Sequence, residues 1–179
     1  MELHPITPQE RPALRRLYRR AFPACERKSW SELERLQKAG KADLLTVAED
    51  GDVRGILVML PTKSLILGDF LAIFPHKRNG GTGTKVLQAI RARYEGVPIC
   101  LEIEDPDEPG ADNAGIRLRR RNFYLRNGIV PIAKMHIYGT DMELLATDAS
   151  VTYESYRDLL RRVLGGQFVE ANLRRRSPF

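Results

Sequence analysis

The chain has 179 residues, of which 42% are hydrophobic and 29% are charged, an ordinary balance for a soluble globular protein. No apolar run is long enough to span a membrane, and the first residues do not have the pattern of a signal peptide. We therefore expect one domain over residues 1–179, with its core at 3–164 and a basic tail from about residue 165. The net charge of +6 suits an anionic ligand or partner.

Cysteines and histidines show no metal-binding pattern in the sequence. Cys25 and Cys100 are far apart and lack the spacing of a zinc motif, so we interpret both as reduced thiols. The three histidines, His4, His76 and His136, are scattered along the chain. We predict a cytoplasmic protein without a bound metal.

Turn residues and apolar spacing divide the chain into strands and helices. The first helix is predicted to begin at Pro8, to be capped by Thr7 and to end at Pro23. The predicted strands cover residues 3–6, 44–48, 53–60, 65–73, 99–104, 130–138 and 142–146. The other predicted helices cover residues 31–40, 81–94, 115–127 and 152–164.

This order of elements predicts the fold class. Runs of antiparallel strands flank two helical crossovers, which indicates a mixed sheet with helices on both faces. We therefore predict an α/β (α+β) fold with a mostly antiparallel central sheet of about seven strands.

The segment from residue 65 to 87 carries the strongest functional signal. An apolar strand runs to Ile73, Pro75 stops it, and a turn rich in glycine and basic residues then opens a helix. A helix N-terminus presents amide groups and a favourable dipole to an anion, while glycine permits left-handed torsions and close approach. This arrangement predicts a phosphate-binding site.

The spacing of the glycines excludes two common phosphate loops. A Walker loop needs Gly-Lys followed by Ser or Thr, but here a threonine separates Gly83 from Lys85. A dinucleotide fingerprint needs a third glycine at the position of Val86. The remaining pattern, Arg78-x-x-Gly81-x-Gly83 after a strand ending in Leu-Ala-Ile, resembles the acyl-CoA-binding motif of the GNAT superfamily of N-acyltransferases.

A second segment resembles a later motif of the same superfamily. Phe123-Tyr124 stands on a predicted helix, and Tyr124 lies four residues before Gly128-Ile129. The resemblance implies that Tyr124 protonates the departing CoA thiolate. Packing of this side chain in the core is the alternative.

The resemblance extends over residues 3–164 and implies a role for the end of the first central strand. The backbone of Leu71, Ala72 and Ile73 would pair with the pantetheine arm and polarise the acyl carbonyl, and Arg78 would hold the loop or touch phosphate. The residues implied to wrap the pyrophosphate are Asn79, Gly80, Gly81, Thr82, Gly83 and Thr84.

The general base is the least defined part of the predicted site. An amine attacks a thioester only when unprotonated, so a carboxylate is needed to take its proton, directly or through a water. Glu102 lies at the end of the second central strand, where some members of the superfamily carry this base. Glu104, Asp69 and His136 are the alternatives.

Two features depart from the pattern of the superfamily. Arg117 stands where many members carry an asparagine that contacts CoA, and the loop at 105–114 is longer and more acidic than usual. Either feature suggests a different CoA contact, or an acidic wall that recognises a cationic amine.

Arginines also cluster at 15–20, 117–121 and 174–176, which we interpret as solvated helix faces and a tail.

The resemblance implies an N-acetyltransferase that moves acetyl from acetyl-CoA to a primary amine of a small molecule or peptide, by direct attack in a ternary complex. One alternative is a non-catalytic acyl-CoA-binding or sensing module on the same fold. Another is a nucleic-acid-binding protein, which is disfavoured because aromatic side chains do not interleave with the arginines. The expected partners are acyl-CoA and an amine acceptor. We expect no association with a membrane, and the protein to be a monomer or a homodimer.

Overall fold

The computed structural model describes residues 1–24, 27–78 and 80–176. Among these residues, no helix is both long and apolar enough to cross a lipid bilayer. The elements follow in chain order: β1 (Glu2–Pro5), α1 (Arg11–Ala21), α2 (Trp30–Lys38), β2 (Asp43–Glu49), β3 (Asp52–Pro61), β4 (Ile66–Ile73), a 3-10 turn (Pro75–Lys77), α3 (Thr82–Arg93), β5 (Ile99–Glu104), α4 (Ala114–Arg126), β6 (Val130–Ile137), β7 (Thr140–Ala146), α5 (Tyr153–Leu164), α6 (Gly166–Asn172) and β8 (Arg174–Arg175).

The described chain forms two compact units. The first consists of Met1–Pro61 with Gly68–Gly96, and the second consists of Thr62–Leu67 with Val97–Phe179. The strands follow the order β1-β2-β3-β4 in the first unit, which contains β4 from Gly68 onward, and β5-β7-β6-β8 in the second. The pairs β1–β2, β2–β3, β5–β7, β6–β7 and β6–β8 are all antiparallel. The predicted class, a mixed α/β fold with mostly antiparallel strands, is confirmed.

Three details differ from the prediction. α1 begins at Arg11 rather than Pro8, because Thr7 and Glu10 exchange hydrogen bonds in a turn that precedes the helix. α6 and β8 are not predicted by the sequence, because the two glycines at 165 and 166 are typical of the end of a helix. With β8, the described residues contain eight strands in place of about seven.

Two amphipathic helices pack on the strands of the first unit. α1 lies on β3 and α2 lies on β2. Leu14 and Leu17 of α1 are buried while the arginines between them are exposed, as a core-facing helix requires. Ser29 begins α2 by accepting a hydrogen bond from the Glu32 amide, which satisfies one of the amide groups at the start of the helix.

α5 supplies large apolar side chains to the core of the second unit. Tyr156, Leu159 and Leu160 are almost completely buried. The helix begins with a capping box, in which Thr152 accepts from the Ser155 amide and the Ser155 side chain accepts from the Thr152 amide. This start fixes the helix in place, and α6 then packs against α5.

Candidate active site

The glycine turn between β4 and α3 has the backbone geometry of an anion-binding loop. Gly80 and Gly81 have φ angles of +62° and +77°, a region that side chains with a Cβ atom adopt only with strain. A Cβ atom on either glycine would meet nothing within 4 Å, so the torsion angle, rather than crowding, calls for glycine. Gly81 is the N-cap of α3, and no side chain caps this helix. An anion can therefore occupy the place of a capping side chain.

Arg78 and Thr82 tie the turn to the elements that flank it. The Arg78 Nε donates to the Ile73 carbonyl at 3.1 Å while the residue remains exposed. The Thr82 hydroxyl donates to the Lys77 carbonyl at 3.3 Å. These bonds hold the turn against the end of β4. Asn79, which the motif also predicts as a ligand-binding residue, lies outside the described residues.

Gly55 determines how closely β3 approaches the strand that carries Leu71, Ala72 and Ile73. A Cβ atom on Gly55 would lie 2.1 Å from the Ala72 carbonyl oxygen and 2.8 Å from Cδ1 of Ile73. The contact with the Ala72 carbonyl requires the backbone to move, whereas Ile73 Cδ1 is the end of a flexible side chain that can rotate away. The signal for this contact is a glycine inside an apolar strand, a pattern that indicates a close backbone approach, but the sequence does not say which backbone approaches.

A network of charged side chains lies beside the glycine turn. Lys85 Nζ lies 2.6 Å from the Glu49 carboxylate, and Lys77 pairs with Asp52. Arg54 lies 3.2 Å from the Glu49 carboxylate. Both lysines are thus engaged by carboxylates, which leaves the backbone of the turn and the exposed arginine of the motif as the groups best suited to an anion.

Asp69, an alternative base, is held in a buried ion pair of the first unit. Lys28 Nζ lies 3.1 Å and 2.9 Å from its two carboxylate oxygens, and both side chains are at most 9% exposed. Burial raises the pKa of Asp69, an effect that the Lys28 ammonium opposes. Proton uptake by Asp69 would disrupt this buried pair, which is strongly unfavourable. The geometry therefore disfavours Asp69 as the base.

Tyr124 lies on the last turn of α4 and is partly buried. Burial raises the pKa of its phenol above the ordinary value, and the charge of Arg120, one turn earlier, offsets part of this. Its ring lies 5.2 Å from that of Phe123, in an edge-on contact. Among the described residues, the Tyr124 hydroxyl has no hydrogen-bond partner. The phenol thus keeps its proton at neutral pH and can donate it to a ligand.

Glu102 lies on β5, partly exposed, and accepts a hydrogen bond of 2.5 Å from the Tyr156 hydroxyl. Tyr156 is fully buried on α5. Burial, and after it the negative charge of Glu102, raise the pKa of Tyr156 well above the ordinary value of a phenol. The two residues are 54 positions apart, and nothing in the sequence indicated the contact.

The other two alternatives for the base have charged or acidic partners. Glu104 lies 3.0 Å from Arg117 and 3.1 Å from Arg120. His136 Nδ1 lies 2.8 Å from the Asp141 carboxylate. Two arginines therefore hold the Glu104 carboxylate, and a carboxylate holds the His136 ring.

Arg117 holds the acidic loop between β5 and α4 from within. Its side chain is 9% exposed, donates to the Asp105 carbonyl at 3.0 Å and pairs with Glu108. Asp107 in turn lies 2.7 Å from Lys134 Nζ. Two carboxylates of the loop are therefore neutralised by cations of the same unit, which weakens the interpretation of this loop as a wall for a cationic amine.

Two of the three arginine clusters are largely engaged inside the second unit. Arg121 Nε lies 2.8 Å from Glu143, whose side chain is fully buried on β7. Arg176 lies 2.6 Å from Asp141. These ion pairs occupy cations that a nucleic-acid surface would present to phosphates, whereas the arginines at 15–20 of α1 are exposed.

Solved structures with the same fold cover most of this chain. A protein described as an acetyltransferase of the GNAT family from Bacteroides thetaiotaomicron is 24% identical with a TM-score of 0.75, over 93% of this chain and 99% of that chain. An aminoglycoside 6'-N-acetyltransferase complexed with coenzyme A is 16% identical with a TM-score of 0.61, over 82% and 96%. An acetyltransferase from Bacillus subtilis, in complex with CoA, is 19% identical with a TM-score of 0.58, over 82% and 96%. No family model and no curated protein matches the chain.

At these identities the likeness concerns the fold. The mixed α/β class predicted from the order of elements agrees with this shared fold. The solved structures that match the chain include acetyltransferases and an acyl-CoA N-acyltransferase. The chain has the fold of the GNAT superfamily of N-acetyltransferases.

Proposed function

We propose that the chain is a cytoplasmic N-acetyltransferase that moves an acetyl group from acetyl-CoA to a primary amine of a small molecule or a peptide. The observation that carries this proposal is the glycine turn after β4, with two left-handed glycines at the uncapped start of α3. Backbone amides at such a site suit a pyrophosphate. Two of the solved structures that share the fold hold coenzyme A, which supports the same ligand here.

The proposed groups that bind the co-substrate are the glycine turn and the backbone at the end of β4. The turn binds the pyrophosphate, and the backbone at the end of β4 pairs with the pantetheine arm and polarises the thioester carbonyl. The position of that backbone depends on Gly55, because β3 touches the Ala72 carbonyl there. The proposed acetyl-CoA-binding residues are Leu71, Ala72, Ile73, Arg78, Asn79, Gly80, Gly81, Thr82, Gly83 and Thr84.

The proposed groups that move protons are Glu102 and Tyr124. The amine nitrogen attacks the carbonyl carbon, so that an N–C bond forms and the C–S bond to CoA breaks. Glu102 takes a proton from the amine, and Tyr124 gives a proton to the departing thiolate. Each enzyme group then returns to its starting state by exchange with solvent, so no covalent enzyme intermediate is needed.

Tyr124 carries its proton at neutral pH, which its role as the acid requires. A phenol that ionises above its ordinary range is fully protonated at neutral pH, whereas a CoA thiolate is a moderately basic leaving group comparable to that of cysteine. The hydroxyl has no partner among the described residues that would have to release it first. Core packing alone would leave the same hydroxyl without a function.

The test combines calorimetric titration of CoA and acetyl-CoA with free-thiol release on a panel of amines. We expect both ligands to bind and at least one amine to release thiol. Tyr124→Phe should lower kcat about 100-fold, in line with the loss of a general acid, and should leave CoA binding unchanged. Tyr153→Phe removes a hydroxyl from another helix of the second unit and serves as the matched control.

The outcomes separate the proposal from its alternatives. CoA binding without thiol release on any amine would favour a sensing module on the same fold. Absence of CoA binding would overturn the proposal and redirect attention to the exposed arginines of α1. Equal kcat values for wild type and Tyr124→Phe would remove Tyr124 from the mechanism while leaving the reaction class intact.

A further inference from the structure

Four arginines on the solvent-facing side of α1 take no part in the proposed reaction. All of them are exposed. They are Arg15, Arg16, Arg19 and Arg20. Leu14, Leu17 and Tyr18 of the same helix are buried, so the apolar side of α1 belongs to the core of the first unit. The arginines therefore form a surface of fixed orientation, which we call the α1 arginine surface.

This surface differs from the other two arginine clusters in its partners. In the second unit, for example, Arg121 lies 2.8 Å from the buried Glu143. On α1 itself, Arg11 lies 3.0 Å from Glu34 of α2. Across the described parts of the chain, the side chains of the α1 arginine surface have neither an ion pair nor a hydrogen bond. Their donors and their charge are therefore open to an anion from outside the chain.

The pattern of charge on α1 is unfavourable for the helix alone. In α2, Glu32 lies in the first turn and 4.0 Å from Arg35, so opposite charges meet on one helix. In α1 the first turn has no acidic residue, and the four arginines form two pairs with a spacing of four positions. Like charges at this spacing destabilise a helix. The helix dipole favours cations only in the last turn, so it does not account for the two earlier arginines.

The rest of the first unit adds to the positive field of this surface. The first unit has 16 basic and 11 acidic residues, whereas the second has 13 and 12. Where α1 ends, Nη1 of Arg27 donates to the carbonyl oxygens of Arg19 at 3.2 Å and Phe22 at 2.9 Å. This contact satisfies the end of the helix and adds a fifth guanidinium beside the surface. Charges of one sign on one face attract an oppositely charged polymer.

We propose that the α1 arginine surface docks RNA. A planar guanidinium donates two parallel hydrogen bonds to a phosphate, and the same plane stacks on the unpaired bases of RNA loops. The exposed positions of α1 hold arginine, proline and alanine, so this side lacks the large apolar anchors of a protein interface. The apolar side of α1 is in the core, which excludes insertion into a lipid surface.

The aromatic side chains next to α1 are packed against each other, so the guanidinium planes are the stacking groups of this surface. The ring of Phe70 lies 5.1 Å from that of Tyr18 and 4.8 Å from that of Phe22. Contacts to phosphates carry no sequence information, so we expect RNA binding with little sequence preference. The surface includes no residue assigned to acetyl-CoA, and RNA docking goes beyond the proposed function without depending on it.

The experiment follows the fluorescence anisotropy of a labelled RNA hairpin with an unpaired loop, at 50 to 200 mM salt. Four phosphate contacts predict that log K falls with log[salt] with a slope of about −3, which is about 50-fold in affinity over this range. Arg15→Gln combined with Arg19→Gln should halve the slope and weaken binding at least about tenfold. Arg35→Gln combined with Lys38→Gln, on α2, removes the same charge and should change the affinity less than about twofold.

A conservative variant separates the shape of the guanidinium from its charge. Arg15→Lys combined with Arg19→Lys keeps the charge, so the salt slope should not change. The affinity for the hairpin should fall about threefold, because an ammonium group neither bonds in parallel nor stacks. Calorimetric CoA binding and the circular dichroism spectrum should be the same in wild type and in all variants, since these side chains are exposed.

Several results would overturn this inference. Wild type that does not bind the hairpin at 50 mM salt would do so, as would equal affinities of wild type and the α1 glutamine variant. A DNA duplex of the same length that binds as tightly as the hairpin would overturn the choice of RNA. Equally tight binding of polyglutamate or of phosphatidylserine vesicles would assign the surface to an acidic protein or a membrane. Wild type that binds the hairpin but not CoA would support RNA docking and overturn the proposed function alone.

Discussion

The glycine turn of the first unit and the helix α4 of the second are built in different ways. The turn is made by backbone torsions, with Gly80 and Gly81 in the left-handed region and no side chain capping α3. α4 is held instead by side-chain ion pairs, above all between Arg121 and the buried Glu143, 22 residues away. A site made of backbone tolerates most changes of side chain except at glycine, whereas a helix held by charges depends on a few distant partners.

The largest expected effect comes from breaking the ion pair between Arg121 of α4 and the buried Glu143. Arg121→Met leaves the Glu143 carboxylate buried without its guanidinium, and loss of one partner of a buried pair lowers the free energy of unfolding by about 3 to 5 kcal/mol. Urea denaturation followed by circular dichroism measures this change. The control is Arg120→Met, because the Arg120 side chain is 44% exposed and shares Glu104 with Arg117. For this variant we expect the free energy of unfolding to fall by about 0 to 1 kcal/mol. If both variants lowered the free energy of unfolding equally, burial of Glu143 would not make its ion pair stronger than that of Glu104.

The next effect tests the backbone of the first unit. Gly55→Ala places a Cβ atom against the Ala72 carbonyl, so β4 must shift. We expect a loss of about 1 to 3 kcal/mol in stability together with weaker acetyl-CoA binding, measured by denaturation and calorimetry. Gly115→Ala, in α4 with open space around the added atom, should be neutral or stabilising by up to about 1 kcal/mol. If Gly55→Ala bound acetyl-CoA as tightly as wild type, the backbone of β4 would not contribute to the binding site.

A smaller change separates strain from function in the glycine turn. Gly81→Ala should destabilise the fold by about 1 to 2 kcal/mol, because a Cβ atom is disfavoured at φ +77°. We also expect CoA binding to weaken about tenfold, or about 1.4 kcal/mol. Gly110→Ala has the same φ in the acidic loop and should show a similar destabilisation with unchanged CoA binding. Equal CoA affinities in the two variants would contradict a phosphate site at the turn.

The smallest expected effect is in the pH profile. Because the pKa of Tyr124 lies above the ordinary value of a phenol, its active, protonated form is present below pH 10 and is lost only as pH rises through the raised value. Thiol release measured from pH 7 to pH 10 should therefore show no decline caused by this group. A decline centred below pH 10 in wild type that is missing in the residual activity of Tyr124→Phe would contradict the raised pKa.

Local patterns predicted the fold class and the elements that carry the candidate site. The glycine turn, the strand before it and the helix of Tyr124 are encoded by neighbouring residues, so spacing alone identified them. The start of α1 was misplaced because Thr7 and Glu10 bond each other in a turn rather than in a helix.

Contacts between distant residues were not predicted. Tyr156 and Glu102 are 54 positions apart, and Lys28 and Asp69 are 41 positions apart. Whether a carboxylate is paired depends on which strand or helix folds beside it, and a single sequence does not specify that. The sequence therefore named four candidates for the base, and the ion pairs of Asp69 and Glu104 were needed to rank them.

The short strand β8 has a consequence for the behaviour of the protein in concentrated solution. Arg174 and Arg175 pair in register with His136 and Met135 of β6, and Arg176 continues the ladder to the Lys134 carbonyl at 3.0 Å. Without these residues β6 would present an open edge, the kind of surface on which strands of other molecules assemble. We therefore expect these three arginines to protect the edge of β6 from pairing with strands of other molecules.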